Sequence, residues 1–141
     1  MSEFTNPIPK GSMTPSRSRK PSFDRTEFLA RFDGDLEIAR EVAEVFLGDA
    51  SRSLADVGEA VQEKNPAKIM ASAHSLKGAL GNFAAPEAFE AAYTLEKKGS
   101  GGDPAGCDQI FKTLEARVLE LEKDLRVLVA ELQGKTVPLN G

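Results

Sequence analysis

The chain has 141 residues, 40% hydrophobic and 6% aromatic with no Trp, and a formal net charge of -4. That suits one domain with a core of Leu, Val, Ile, Ala and Phe; a single cysteine excludes an internal disulfide, and no apolar run reaches the roughly 18 residues of a membrane span. Lys10, Arg17, Arg19 and Lys20 against Glu3 give residues 1–22 about +3 and leave the rest at about -7. An acidic body argues against a nucleic-acid surface, which needs a basic stripe.

Residues 1–22 are rich in Pro, Ser, Thr and basic residues and hold almost no apolar ones. Such a segment cannot bury enough surface to order itself, so a disordered tail is expected there. Gly11–Met13 reads as a vector-derived junction, with a natural start at Met13. From Phe23 onward the pattern is helical. Asp24 stands where an N-cap would, ahead of the pair Phe28 and Leu29, and Gly34 breaks this short helix. A long amphipathic helix follows to Asn65. Ile38, Val42, Val45, Phe46, Leu54, Val57 and Val61 are its expected core face, with a bend near Gly48–Ser51.

Asn65-Pro66 closes that helix and opens a third, which runs to Phe83. Its apolar positions Ile69, Ala73, Leu76, Leu80 and Phe83 step by 4, 3, 4 and 3. Pro86 opens a fourth helix, with Phe89, Ala92, Tyr93 and Leu95 expected inward. Residues 99–104 read as a loop, with Asp103 and Pro104 as N-cap and first residue of the last helix. There Ile110, Leu114, Val118, Leu121, Leu125, Leu128 and Leu132 recur every three or four residues. Gly134 is its expected end, before a flexible tail over 134–141. No segment alternates with period two. The expected fold is all-α: an antiparallel up-down four-helix bundle over 23–133, its end capped by the short helix at 24–31.

His74 is the one histidine in the chain. It lies about 100° round the helix from Ala73, off the centre of the apolar stripe. Its helical neighbours are Ala71, Lys77, Gly78 and Gly81. Each glycine costs about 0.5–1 kcal/mol relative to Ala inside a helix. Two of them beside the imidazole suggest room for something bulky, such as another protein. Lys77, one turn away, offers charge to an anion on the ring. An uncrowded nucleophilic nitrogen beside a cation is what phosphoryl transfer requires. The same pattern also fits a surface histidine with no chemistry, glycines that serve close helix packing and a simply solvated lysine.

The stretch "AHSLKGALGNFAAPEAFEAAYTLE" resembles the signature of histidine-containing phosphotransfer (HPt) domains. The matching core is His74, Ser75, Leu76, Lys77, Gly78 and Ala79. A helix ending in Leu95-Glu96 and a loop with Gly102-Asp103 follow. The resemblance implies a four-helix bundle that relays a phosphoryl group between receiver-domain aspartates in a two-component multistep phosphorelay. It implies His74 as phosphoacceptor through Nε2, Lys77 as charge stabiliser and Gly78 as the cleared approach. Glu96 falls where family members carry a Glu or Gln that orients the imidazole. The resemblance further implies no cofactor on this chain, with Mg²⁺ on the receiver, and receivers or a sensor histidine kinase as partners. The expected receiver contacts are Ala71, Ser75, Gly78, Gly81 and Asn82. Family members often have a glycine ten residues after the histidine; here Ala84 stands there.

Other readings share parts of this pattern. The phosphoacceptor domain of a chemotaxis-type histidine kinase has the same motif. A helical adaptor could use the last helix's seven-residue repeat to dimerise, although about three heptads are more economically the fourth wall of the bundle. An independent enzyme is not expected. One His and one Cys make no usual metal cluster, "GSGGD" has no strand before it, and Ser75 points away from His74. Cys107 is expected to pack at the start of the last helix. Without a leader or span, the chain is expected in the cytoplasm.

Overall fold

The structure, a computed structural model, describes residues 23–136, and every regular element among them is a helix. The expected tail at 1–22, its junction and residues 137–141 lie outside the described residues. Asp24 opens α1 (Arg25–Ala30), its carboxylate accepting the Glu27 N–H at 3.0 Å. A turn through Asp33 and Gly34, both at positive φ, leads to Asp35, which caps α2 (Leu36–Gln62). Asn65 caps α3 (Pro66–Leu80), with Pro66 in its first turn where no N–H is needed. Pro86 does the same for α4 (Pro86–Ser100), and α5 covers Cys107–Thr136.

The helices α2 to α5 form a ring in which each packs against its sequence neighbours, and α5 closes against α2. Gly99, late in α4, lies on Pro66 and Met70 at the start of α3, while Gly81, past the end of α3, lies near Phe89 early in α4. These two helices therefore run in opposite directions. So do α2 and α5, where Gly58 meets Phe111 and Glu44 meets Gln133. Ile69, Ala73, Leu76 and Leu80 of α3 and Leu114, Val118, Leu121, Leu125, Leu128 and Leu132 of α5 are all buried, as their periodicity predicts. Cys107 is buried at the first turn of α5, and desolvation pushes its thiol pKa up.

Helix α1 covers the end where α3 turns into α4. Phe28 stacks on Phe83 at 5.1 Å between ring centres, and Phe83 in turn meets Phe46 of α2 at 4.9 Å. The Asp24 N–H donates to the Ala84 carbonyl at 2.7 Å, and the Arg31 guanidinium donates to the Gly81 carbonyl at 2.9 Å. Ala84 itself is buried and does not have positive φ, so this turn works without a glycine.

Several expectations fail in detail. The buried face of α2 is Ala39, Ala43, Phe46, Ala50, Leu54, Val57, Ala60 and Val61, while Ile38 and Val45 are 46% and 65% exposed. Small alanines let the neighbouring helices come close, and their stripe wins over the larger residues one position away. Helix α2 is, as expected, one long helix that continues through Gly48–Ser51. Helix α3 ends at Leu80, three residues early, although Phe83 is still buried. Tyr93 is 38% exposed instead of inward. Helix α4 continues through Gly99 and Ser100 because Gly99 packs against the α3 backbone. Asp103 does not cap α5, which starts at Cys107; its carboxylate accepts the Ala105 N–H and binds Lys98 in the preceding turn. Helix α5 runs past Gly134 to Thr136.

Candidate functional site

Because Ala73 and Leu76 face the core, the residues between and beside them on α3 must face out. The His74 side chain is 67% exposed. On the neighbouring helix, Glu96 follows buried Leu95 and sits at the edge of the α3–α4 seam, only 20% exposed. Its Oε2 lies 2.8 Å from His74 Nδ1. Its Oε1 lies 2.8 Å from Lys77 Nζ, without the alignment of a hydrogen bond, so this contact is an ion pair held by charge. One carboxylate thus serves both predicted partners from the adjacent helix.

The Lys77 ammonium is the main cause that holds the Glu96 carboxyl below its ordinary value of 4.5; the bond from His74 acts the same way, and burial opposes both. The ionised carboxylate can only accept. The hydrogen between the two groups therefore belongs to Nδ1, and in the neutral ring the lone pair stays on Nε2. With Nδ1 turned toward α4, the outward-facing nitrogen of this exposed ring is the nucleophilic one.

The surface round His74 is open. Ala71, Ser75, Gly78, Gly81 and Asn82 are all exposed. A Cβ added at Gly78 would meet nothing within 4 Å, so no packing among the described residues demands a glycine there. Gly81 would make only ordinary contacts, at 3.4 Å and beyond. All of the expected site residues therefore share one side of the bundle, and His74, Lys77 and Glu96 are in direct contact.

Two nearby residues were missed by the sequence reading. Arg31 reaches Gly81 across fifty positions, and no local pattern announces that. Tyr93 stands three residues before Glu96, a spacing that puts both on one helical face; its ring lies under Lys77 and Lys97. That spacing was a usable signal.

These features define a class of protein: a helical bundle that presents one imidazole to solvent, its Nε2 outward and its Nδ1 held by a carboxylate. The chain belongs to the Hpt domain family, whose sequence profile, described as "Hpt domain", matches residues 41–133. Comparisons with curated proteins and with solved structures found no match. Hpt domains are phosphoryl carriers in two-component signalling and interact with histidine kinases and receiver domains. No helix among the described residues is long and apolar enough to cross a membrane.

Proposed function

We propose that this chain relays a phosphoryl group between receiver-domain aspartates, with His74 as the phosphoacceptor. The observation that carries the reading is the exposed imidazole whose Nδ1 lies 2.8 Å from an anionic carboxylate. In the transfer, the Nε2 lone pair forms the N–P bond while the bond from phosphorus to the aspartyl oxygen breaks. The electron pair returns to the aspartate carboxylate. Positive charge that develops on the imidazole is met by Glu96 through Nδ1–H, and Lys77 faces the charge of the phosphoryl oxygens. Transfer to the second receiver is the same step reversed. The Mg²⁺ that this chemistry uses sits on the receiver.

The receiver docks over Ala71, Ser75, Gly78, Gly81 and Asn82. From Asn82 and Ala79 the surface continues into an apolar groove against Val42 and Val45 of α2, which gives the partner a seat beside the imidazole. The protein acts as a monomer in the cytoplasm. In favour of a monomer, the apolar stripe of α5 from Leu114 to Leu132 is already buried within the fold.

The test is phosphorylation by phosphoramidate, read by intact mass on the wild type and on His74→Gln. The expected result is one acid-labile phosphate on the wild type and none on the variant. A well-folded wild type that takes no phosphate from phosphoramidate or from a phosphorylated receiver would sink the relay and leave a helical adaptor.

A further inference from the structure

Lys77 and Lys97 meet on one aromatic ring. The Lys77 Nζ lies 4.8 Å from the centre of the Tyr93 ring and the Lys97 Nζ lies 4.4 Å from it. Phe89 stands further off, 6.0 Å from Lys77. Tyr93 lies one turn before Lys97 on α4 and opposite Lys77 on α3. It is half-exposed, so its place in the sequence is not explained by core packing.

A ring and a carboxylate hold an ammonium in different ways. A carboxylate cancels its charge. An aromatic face attracts it through the quadrupole and leaves the full positive charge in place. Glu96 has one negative charge, already divided between His74 Nδ1 and Lys77. A second carboxylate in the place of Tyr93 would neutralise the cation that an incoming phosphoryl group needs. We propose that Tyr93 is a positioning residue for phosphoryl transfer: its ring anchors the Lys77 ammonium beside His74 without discharging it, and the Lys97 ammonium on the same ring raises the positive charge at this edge of the site. The inference rests on His74 as phosphoacceptor and adds a residue that acts on the reaction through Lys77.

The experiment measures the rate at which the full chain accepts phosphate from phosphoramidate. In that step the Nε2–P bond forms as the P–N bond of the donor breaks, and the donor nitrogen leaves with the bonding pair as ammonia. Tyr93→Leu is expected to slow the step about two- to fivefold, the scale of a cation–ring contact at a half-exposed site. Tyr93→Phe should keep the wild-type rate, because the ring and not the hydroxyl does the work. In a Lys77→Met background, Tyr93→Leu should have no further effect. A Tyr93→Leu rate equal to wild type, or the same loss with and without Lys77, overturns the proposal.

Nuclear magnetic resonance separates this idea from the relay itself. The Lys77 side-chain methylene next to the ammonium should carry a ring-current shift that vanishes in Tyr93→Leu, whether or not phosphate is accepted. If that shift is absent while the wild type phosphorylates normally, the anchoring fails and the relay stands. If the shift is present and the wild type takes no phosphate, the relay fails and takes the positioning role with it.

Discussion

Helices α3 and α4 each carry a glycine near the C-terminal end, and the two have opposite surroundings. At Gly99 a Cβ would stand 2.6 Å from the Met70 nitrogen and 2.6 Å from the Pro66 oxygen, both rigid backbone. The close approach of the two helices requires the missing side chain. At Gly78 a Cβ would meet nothing within 4 Å. The helix loses stability there without any return among the described residues. The first glycine belongs to the fold. The second meets no packing demand among the described residues, and the proposed docking of a receiver beside His74 would give it one. The same residue type thus stands on two adjacent helices, and only the surroundings tell the cases apart.

This contrast can be broken by experiment. The largest effect is expected for Gly78→Gln, which should slow transfer from a phosphorylated receiver by roughly tenfold or more, the scale of loss when reacting groups are held out of line. Its circular dichroism should remain that of the wild type. Transfer at the normal rate would mean that no partner approaches across Gly78. Next in size, Gly99→Ala should destabilise the bundle by about 1–3 kcal/mol, because backbone cannot move aside as a flexible side chain can. Urea unfolding measures this directly. Gly78→Ala should do the reverse and stabilise by about 0.5–1 kcal/mol, through helix propensity alone. Equal signs for the two alanine variants would erase the distinction.

The smallest effect concerns the carboxylate between the two sites. The folded state holds Glu96 below 4.5, chiefly through Lys77. A carboxyl with a lowered pKa contributes stability that is present above its unfolded value and lost as pH falls through its folded value. The urea midpoint of the wild type should therefore fall toward that of Glu96→Gln between about pH 6 and about pH 3. A gap between the two that stays constant over this range would show that Glu96 gains nothing from its partners.

What could be read in advance follows from the range of each interaction. Asp24 as a cap, Asn65-Pro66 as a stop and start, and the stripes of α3 and α5 depend on residues within a turn or two, so order along the chain is enough. His74 and Lys77 are one turn apart, and their common face needed only helical spacing. Face selection on α2 was different. Bulk placed Ile38, Val42 and Val45 on the expected face beside Phe46, one residue round from Ala39 and Ala43. The structure buries Ala39 and Ala43 in line with Phe46 and leaves Val42 partly buried and Ile38 and Val45 exposed, because close-packed neighbours reward small residues.

The amino-acid sequence by itself determined that the chain is helical, where most helices begin, and which imidazole and ammonium share a surface. Those are properties of local spacing, capping and composition. Tertiary structure alone decided that Glu96, which the family resemblance sets against His74, also reaches Lys77, that Arg31 holds the carbonyl of Gly81, and that Gly99 continues a helix where a glycine-rich run suggests a loop. Each of these joins groups that are distant in the chain. Their geometry exists only once two helices have met at a particular angle and depth, and no periodicity within one helix encodes that meeting.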